Sequence, residues 1–565
     1  MNNELKSRTG GELLVDALKV HGADTAFCVP GESYLAVLDA LYGARDAIKT
    51  IVCRQEGGAA NMAEAYGKLT GKPGICMVTR GPGATNAAIG VHTAFQDSTP
   101  MILFIGQVGT DFVEREAFQE VDFRRMYGEM AKWVASIDRV ERIPEFVSHA
   151  FHCAMSGRKG PVVLALPEDM LTQIAAVADT GPYREVVAHP GAADMASLRD
   201  MLAQAQRPLA ILGGSGWNAN ACADLRKFVE ANGLPAVCAF RFQDLFDNSH
   251  ASYAGDIGPG VNPKLAQRVK DADLLLVVGA RMGEMTTSGY TLLSVPRPAQ
   301  KLIHVHAGAE ELGRVYQGDL LINSGMPQIA AALAAMPPVQ AKGWRDLTAS
   351  AHADYLEWIK PKAMPGRVQL CDIFDFLKQR LPADAILANG AGNYTGWLHR
   401  FYQHRTFRTQ LAPTSGAMGY GVPAAIAAKI VHPERTVISW NGDGCFLMCG
   451  QELATAAQYG ANVIFVVVNN GMYGTIRMHQ EREYPARVHG TALANPDFVM
   501  LARAYGAHGE LVEDTSQFAP AFERAIKVTE TGGKPALIEL RIDPQASTPN
   551  ITLDALREQA LKRAH

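Results

Sequence analysis

Short apolar runs alternate with amphipathic segments along almost the whole chain. In the first third, the runs at 25–29, 50–52, 75–79, 101–105 and 162–166 have the length and composition of strands, and 58–70 and 84–95 are patterned as helices. Strands that are apolar throughout are typical of parallel sheets covered by helices on both faces. The pattern therefore predicts an α/β fold.

The same alternation continues in two further blocks of the chain. Strand candidates lie at 209–212, 235–238, 274–278 and 301–305 in the second block, and at 385–388, 436–440, 463–469 and 536–541 in the third. Connections of irregular composition fall at 176–191, 336–342 and 361–366. We expect three doubly wound, Rossmann-like parallel-sheet domains at 1–182, 190–340 and 360–550, and a helical tail at 551–565.

Composition narrows the class of protein. Of the 565 residues, 48% are apolar, and 53 Lys and Arg nearly balance 57 Asp and Glu. This balance gives no basic surface for nucleic acid or an anionic membrane, and no run approaches the ~18–20 apolar residues that span a bilayer. The nine cysteines are scattered without a C-x-x-C pair, which argues against disulfides and structural zinc. We expect a soluble, cytoplasmic protein with no nucleic-acid or membrane partner.

The strongest local signal for chemistry is a pair of polar turns, each at the end of an apolar strand. A Gly-Asp-Gly turn around Asp443 follows the strand candidate at 436–440, and an Asn-Asn pair ending at Asn470 follows the next one. Both turns fall at the carboxyl edge of the predicted sheet, where a helix expected to begin near 447 would direct its amide groups. A carboxylate, an amide oxygen and the Met472 carbonyl suit a hard cation that also binds phosphate oxygens. The alternative is a pair of turns that binds no metal.

These turns and five further segments resemble the thiamine diphosphate enzymes of the acetolactate synthase, benzoylformate decarboxylase and pyruvate oxidase group. In that group, Gly-Asp-Gly followed by Asn-Asn binds Mg²⁺ and the diphosphate of the cofactor. The other matching segments occur in the order of the family and span all three domains. They are Arg54-Gln-Glu-Gly-Gly-Ala-Ala-Asn-Met-Ala-Glu-Ala-Tyr66, Thr79-Arg-Gly-Pro-Gly-Ala-Thr-Asn86, Ala117-Phe-Gln-Glu120, Ser415-Gly-Ala-Met-Gly-Tyr-Gly-Val-Pro423 and Gln451-Glu-Leu-Ala-Thr455.

The resemblance implies a domain organisation, an assembly and a reaction. Residues 1–182 would form the pyrimidine domain, 190–340 a Rossmann-like middle domain and 360–550 the diphosphate domain. Each cofactor would lie between the pyrimidine domain of one subunit and the diphosphate domain of another, so a homodimer is the minimum active unit and a homotetramer is usual. The implied cofactors are thiamine diphosphate and Mg²⁺. The implied reaction is decarboxylation or carboligation of 2-oxo acids with aldehyde or ketone partners, through ylide and enamine forms of the cofactor.

The resemblance also gives roles to single residues. Glu56 matches the carboxyl beside N1′ of the aminopyrimidine, which favours the imino tautomer that accepts the C2 proton. Gln119 and Phe118 match residues that line the reaction centre, and Met418 matches the apolar side chain that supports the bent cofactor; local packing is the alternative for each. The implied cofactor-binding residues are Glu56, Pro82, Asn86, Asn393, Tyr394, Gly416, Met418, Asp443, Gly444, Cys445, Asn470, Met472, Tyr473 and Gly474. The implied metal ligands are Asp443, Asn470 and Met472.

Three departures from the acetolactate synthase pattern fall in one implied pocket. Glu32 stands where a glycine would lie beside C2, Met285 replaces an arginine of the biosynthetic synthases, and His479 replaces a tryptophan of the acceptor pocket. We interpret Glu32 and His479 as candidate catalytic residues; helix capping is the alternative for Glu32, and a structural or solvated histidine for His479. The departures argue against a dedicated branched-chain acetolactate synthase.

Two other enzyme classes stay open. Gly214-Ser-Gly216 resembles a dinucleotide-binding turn, so a flavin-dependent oxidase with FAD and a 2-hydroxyacyl-CoA lyase with ADP are alternatives. A lone Gly-x-Gly is a weak signal, and FAD is not favoured. A glyoxylate carboligase is disfavoured because that branch lacks the activating glutamate. A protein that only binds is disfavoured because Glu56, Asp443 and Asn470 are all present.

Overall fold

Three six-stranded parallel sheets follow one another along the chain in the computed structural model, which describes residues 5–339 and 343–564. α-Helices separate successive strands throughout the first and third sheets and in part of the middle sheet. The prediction of three doubly wound α/β domains is therefore confirmed. The predicted boundaries at residues 1, 340 and 565 lie outside the described residues, as do residues 340–342 of the predicted connection.

The first sheet has the strand order β3-β2-β4-β5-β7-β6, and a small antiparallel pair, β1 with β8, accompanies it. The elements are β1 Ser7–Thr9, α1 Gly10–Val20, β2 Thr25–Cys28, α2 Leu35–Gly43, β3 Lys49–Val52, α3 Glu56–Thr70, β4 Gly74–Val78, α4 Gly81–Asp97, β5 Met101–Gln107, α5 Phe123–Tyr127, β6 Trp133–Ser136, α6 Ile143–Met155, β7 Pro161–Pro167, α7 Glu168–Thr172 and β8 Ile174–Ala176. Strand order reverses between β2 and β4. In doubly wound sheets, ligands bind at the carboxyl edge beside such a reversal.

The middle sheet has the order β11-β10-β9-β12-β13-β14, which is the Rossmann order. Its elements are α8 Ala192–Gln204, β9 Pro208–Leu212, α9 Ala219–Asn232, β10 Ala236–Ala239, β11 Tyr253–Ile257, α10 Pro263–Asp271, β12 Leu274–Val278, β13 Lys301–His306, β14 Leu320–Asn323, α11 Met326–Ala335 and α12 Trp344–Trp358. The reversal in strand order here lies between β9 and β12.

The third sheet has the order β16-β15-β17-β18-β20-β19, the same relative order as the first. Its elements are α13 Leu370–Arg380, β15 Ile386–Asn389, α14 Thr395–Phe401, β16 Gln410–Leu411, α15 Gly421–Val431, β17 Val437–Gly442, α16 Asp443–Leu447, α17 Leu453–Tyr459, β18 Ile464–Asn469, α18 Gly474–Glu483, α19 Phe498–Ala504, β19 His508–Val512, α20 Phe518–Thr531, β20 Ala536–Arg541 and α21 Leu553–Ala564. The reversal lies between β15 and β17.

The helix after β17 begins earlier in the chain than expected. The helix expected to begin near 447 instead begins at Asp443 and ends at Leu447. The reason is local: Gly444, Cys445 and Phe446 are buried, and the Gly444 amide donates to Asp443 Oδ1 at 2.8 Å, so the chain turns into the helix directly after β17. A 3₁₀ turn at Gly450–Glu452 then leads into α17.

The chain divides into two compact units. Unit 1 consists of Met1–Val186, Pro413–Pro433 and Cys449–Ala461, and unit 2 consists of Val187–Ala412, Glu434–Met448 and Asn462–His565. Helices α15 and α17 therefore belong with the first sheet, whereas the middle and third sheets form unit 2. All nine cysteines are free thiols. In residues 5–339 and 343–564, no helix combines the length and the apolar composition that a membrane span requires.

Candidate active site

Glu56 is the first residue of α3, at the carboxyl edge of the first sheet. Its half-buried carboxylate accepts a hydrogen bond from Asn86 Nδ2 on α4 at 2.9 Å. Gly83, also on α4, lies so close that an added Cβ would be 3.4 Å from Glu56 Oε1. The negative charge therefore sits at the N-terminal ends of two long helices, where the helix dipoles favour it.

Glu32 lies at the same edge, after β2. It begins a 3₁₀ turn at Glu32–Tyr34, and its side chain is exposed. Ser33 and Thr79 fix this turn to the end of β4 through a 2.9 Å contact between their hydroxyl groups. No hydrogen bond from Glu32 to a helix end occurs in the described part of the chain, so the capping interpretation is not supported. Pro82 and Asn86 are exposed in the first turns of α4.

Gln119 and Phe118 belong to a loop whose main chain is held tightly. The Gly81 amide donates to the Gln119 carbonyl at 2.9 Å, and the Arg80 guanidinium donates to the Phe118 carbonyl at 3.4 Å. The carboxylate of Glu120 accepts two further main-chain amides of the same loop. Gln119 has a φ of 66°, a strained value for a residue with a side chain. The loop thus presents Phe118, which is 70% exposed.

Gly416 and Met418 also belong to unit 1, in the loop before α15. Gly416 has a φ of 69°, a conformation that glycine adopts without strain. Hydrogen bonds hold this loop against α4. The Thr414 amide donates to Asp97 Oδ1 at 2.7 Å, the Thr414 hydroxyl donates to the same oxygen, and the hydroxyls of Ser415 and Thr93 lie 3.2 Å apart.

Asp443 in unit 2 is 3% exposed and begins α16. Its Oδ1 accepts the Gly444 amide at 2.8 Å, and its Oδ2 accepts the Gly471 amide at 2.9 Å. Burial raises the pKa of Asp443 above its ordinary value, although these amides and the side chain of Asn495 oppose the increase. Since Gly471 follows Asn470 directly, the structure brings the two predicted turns together at the carboxyl edge of β17 and β18.

Asn495 is a residue of this site that the sequence did not indicate. Its Nδ2 donates to Asp443 Oδ2 at 2.8 Å and to Asn469 Oδ1 at 2.9 Å. Its Oδ1 is buried and has no hydrogen-bond partner among the described residues. The only local signal is an Asn-Pro dipeptide, which predicts a turn and no chemistry.

The remaining residues of the two turns contact one another. The Met472 amide donates to Asn470 Oδ1 at 3.2 Å. Gly444 packs under the ring of Tyr473, since a Cβ at Gly444 would lie 2.7 Å from that ring. Gly474 begins α18 and lies beside Asn470, whose Nδ2 would be 2.9 Å from a Cβ there.

Asn393 and Tyr394 follow β15 on the other side of the strand reversal. Asn393 and Thr475 form two hydrogen bonds. The main-chain N–H of Asn393 donates to Thr475 Oγ1 at 2.9 Å, and the Thr475 hydroxyl donates to the side-chain oxygen Oδ1 of Asn393 at 3.0 Å. Tyr394 is 8% exposed, and its hydroxyl donates to the Cys445 sulfur at 3.0 Å. Tyr394 and Cys445 are thus packed against each other beneath the turn.

His479 is exposed on α18, and its Nδ1 lies 2.7 Å from the Arg482 guanidinium. Partial burial and the charge of Arg482 lower the pKa of His479. A neutral imidazole is therefore the favoured form in neutral solution.

The donors around Asp443 fit the group that the resemblance implies. The side chains of Asp443 and Asn470 and the carbonyls of their turns offer oxygen ligands, the kind that Mg²⁺ prefers when phosphate supplies further ligands. No cluster of three or more His, Cys, Asp or Glu that could hold a metal occurs in residues 5–339 and 343–564. The unpartnered Oδ1 of Asn495 adds a polar atom for a ligand or water to satisfy.

Comparisons with known proteins cover all three domains. The N-terminal TPP binding domain of thiamine pyrophosphate enzymes matches residues 8–126, the central domain matches 195–333, and the C-terminal TPP binding domain matches 390–540. The acetolactate synthase isozyme 2 large subunit of Escherichia coli K12 is 31% identical over 540 residues, covering 94% of this chain and 95% of that protein. The acetolactate synthase large subunit of Corynebacterium glutamicum is 30% identical, covering 95% and 87%. That of Lactococcus lactis is 29% identical, covering 95% and 93%.

Proposed function

The chain belongs to the thiamine pyrophosphate enzyme family, and on that premise we propose that it uses Mg²⁺ to bind thiamine diphosphate and acts on 2-oxo acids. The proposed reaction removes CO₂ and either releases an aldehyde or joins the remaining fragment to a second carbonyl compound. The main support for this proposal is that Asp443 and the Asn469–Gly471 turn meet at the carboxyl edge of β17 and β18.

Each of these residues would have a specific role in binding the cofactor or in proton transfer. Asp443, Asn470 and the Met472 carbonyl would hold Mg²⁺, and the main-chain amides at the start of α16 and α18 would face the diphosphate. When bound, thiamine diphosphate supplies the electron sink for C–C bond cleavage and formation. Glu56 would hold and move the proton at N1′ of the aminopyrimidine, while Asn86 orients the Glu56 carboxylate.

Three residues would distinguish this enzyme from a dedicated branched-chain synthase. Glu32 is an exposed carboxyl at the edge that also carries Glu56, and His479 is an exposed imidazole on the helix that follows Asn470. Met285, which is 43% exposed, supplies no charge for a substrate carboxylate. We therefore assign Glu32 and His479 to proton transfer or to hydrogen bonding with a polar substrate.

The middle domain gives little support for FAD. The turns after β9 and β12 pack directly on each other, since a Cβ at Gly214 would lie 2.0 Å from the Gly279 carbonyl oxygen. Trp217 is 5% exposed and donates its indole N–H to the Gly213 carbonyl at 2.9 Å, and Asn218 caps α9. The Trp217 indole lies against both turns at the strand reversal, where a dinucleotide would bind. Purified protein is expected to lack flavin absorbance, and a bound flavin would contradict this part of the proposal.

The proposed assembly is a homodimer at least, and a homotetramer by analogy with the family. Glu56 of one subunit would serve the cofactor held by Asp443 of another. Mixing inactive Glu56→Gln and Asp443→Ala subunits tests this arrangement, because one intact site per mixed dimer would restore activity.

The reaction itself is tested with a panel of substrates. The protein loaded with thiamine diphosphate and Mg²⁺ is incubated with 2-oxo acids, alone and together with aldehydes or ketones, and the products are identified by mass spectrometry. Release of CO₂ with formation of an aldehyde or a 2-hydroxy ketone supports the proposal. An absence of both products across the panel, with the cofactor bound, would count against it.

Glu32 offers a finer test of the same pocket. Glu32→Gly is expected to keep cofactor binding and to change the ratio of aldehyde to carboligation product, because it removes the acid nearest the expected C2. Glu32→Gln keeps the size of the side chain without its acidity and serves as the comparison. If both variants keep the wild-type product ratio, rate and pH profile, Glu32 has no role in the reaction.

A further inference from the structure

Glu452 is a fully buried carboxylate in unit 1 that directly precedes α17, at the end of the 3₁₀ turn Gly450–Glu452. Its Oε1 accepts the main-chain amides of Arg54 and Gln55, each at 3.0 Å. Its Oε2 accepts the Thr455 hydroxyl at 2.5 Å and the Arg54 amide at 3.2 Å. The carboxylate therefore binds the two amides that come immediately before Glu56.

The surroundings are shaped around this contact. A Cβ on Gly58 would lie 2.6 Å from Glu452 Oε1, so only glycine at this position of α3 lets the carboxylate reach the chain. Burial raises the pKa of Glu452, and the Thr455 hydroxyl and the two amides oppose the increase. A buried carboxylate without hydrogen bonds would be strongly destabilising, so these donors are what keep the side chain in place.

We infer that Glu452 is a positioning residue for Glu56. It fixes the main chain at residues 54–55, and this sets the direction in which the first residue of α3 presents its carboxylate. The inference rests on the proposed role of Glu56 as the proton carrier. Glu452 itself is 0% exposed and cannot meet a substrate, so its effect must pass through the main chain.

Two substitutions separate the hydrogen bonds from the charge. Glu452→Ala removes every acceptor and leaves the Arg54 and Gln55 amides unpaired. Glu452→Gln keeps one oxygen for these amides, and its NH₂ group can donate to Thr455, whose hydroxyl can accept. If Glu452→Ala fails to fold, Glu452→Asp gives the same test, because it withdraws the carboxylate by one methylene group.

A matched control lies in the middle domain. Glu311 also ends a 3₁₀ turn, Ala309–Glu311, and is 6% exposed, where it pairs with Arg281 and Arg314. Glu311→Ala therefore removes a comparable buried carboxylate from another part of the chain. Any general loss of stability should appear in both variants.

The first readout needs no cofactor. Amide hydrogen exchange of a peptide covering residues 54–58, followed by mass spectrometry, is expected to be faster in Glu452→Ala than in wild type and unchanged in Glu311→Ala. The second readout is deuterium exchange at C2 of the cofactor, at saturating thiamine diphosphate and Mg²⁺. We expect a loss of about 10-fold or more in Glu452→Ala, because misplacement of a catalytic group by ~1 Å can cost about 100-fold, and recovery of most of the rate in Glu452→Gln.

Two results would overturn the inference. One is faster amide exchange in Glu452→Ala with a wild-type rate of C2 exchange, which would make Glu452 merely structural. The other is an equal loss of C2 exchange in Glu311→Ala, which would make the effect one of general stability. A wild-type rate of C2 exchange in Glu56→Gln would instead contradict the proposed role of Glu56 itself, and can be distinguished from the two results above.

Discussion

Asp443 and Glu56 are each the first residue of a helix at the carboxyl edge of a six-stranded sheet, and the two sheets share one relative strand order. Asp443 is 3% exposed, and amide and side-chain donors from three parts of its own domain hold both of its oxygens. Glu56 is half-buried and accepts a hydrogen bond from Asn86, while the main-chain amides of the two residues before it donate to Glu452.

The difference follows from what the two carboxylates are proposed to do. A metal ligand works best when its geometry is set in advance, so hydrogen bonds to the carboxylate itself are an advantage. A proton carrier must reach its partner and change its protonation state. Support through the main chain just before Glu56 leaves the carboxyl of Glu56 accessible. One fold thus supplies a rigid carboxylate at one edge and an accessible carboxylate at another.

Asp443→Ala tests the rigid half of the comparison and has the largest expected effect. Loss of the only carboxylate among the proposed metal ligands should abolish Mg²⁺-dependent binding of thiamine diphosphate, measured by isothermal titration calorimetry. Asp514→Ala removes a partly exposed aspartate that caps a 3₁₀ turn in the same domain, and this variant should bind the cofactor normally. Unchanged affinity for thiamine diphosphate in Asp443→Ala would show that Asp443 is not a metal ligand.

Asn495→Ala is expected to weaken cofactor binding at the Asp443 site, but less than Asp443→Ala does. It removes the donor shared by Asp443 and Asn469, and residues that orient metal ligands typically contribute about 10–100-fold in affinity. We expect the Mg²⁺-dependent affinity for thiamine diphosphate to fall about 10-fold, within that range. Asn218→Ala, which removes the cap of α9 in the middle domain, is the control. Equal affinities in the two variants would show that cofactor binding through Asp443 does not depend on Asn495.

Glu481→Gln tests the support of α18, the helix that follows Asn470. Glu481 is 0% exposed, and hydrogen bonds from Arg557 on α21, and from Arg477, hold its pKa at about 2, against an ordinary value of 4.5. Because the pKa is lower in the folded protein, the stabilisation is complete above pH 4.5 and is lost as the pH falls towards about 2.

The expected outcome is faster amide exchange in α21 of Glu481→Gln than of wild type in neutral solution. The ratio of the two rates should approach one as the pH falls through the window between 4.5 and about 2. Glu523→Gln, which breaks the more exposed pair with Arg380, should change exchange little at any pH. A rate ratio that does not vary with pH would contradict this explanation.

The sequence predicted the central strands of each sheet and missed most outer ones. Runs such as β12 Leu274–Val278 are buried at every residue, so an unbroken apolar stretch marks them. The outer strands β6, β14 and β19 have partly exposed residues, and β11 contains Gly255 and Asp256. An outer strand has only one strand neighbour and is less completely covered, so its sequence carries no continuous apolar signal.

The residues of the candidate site also differ in how far the sequence could predict them. Asp443 and Asn470 are in short motifs, each directly after a strong strand, and could be placed together from the sequence. Asn495 and Glu452 act through contacts with residues distant in the chain, and an isolated Asn or Glu gives no local sign of this. Glu452 lies within a segment that matches the family, but the match gave it no role. Supports of this kind depend on the tertiary structure, and sequence patterns do not reveal them.

The central claim is that Glu56 is an accessible proton carrier at a site whose cofactor is held elsewhere. The most direct test is deuterium exchange at C2 of thiamine diphosphate bound to Glu56→Gln, quenched in acid and followed by NMR, with affinity measured in parallel. Glu145→Gln, an exposed substitution in the same unit, is the control. We predict retained binding and exchange at least ~100-fold slower than wild type, since general acid–base groups typically contribute 10²–10⁴-fold. Exchange at the wild-type rate in Glu56→Gln would contradict the claim.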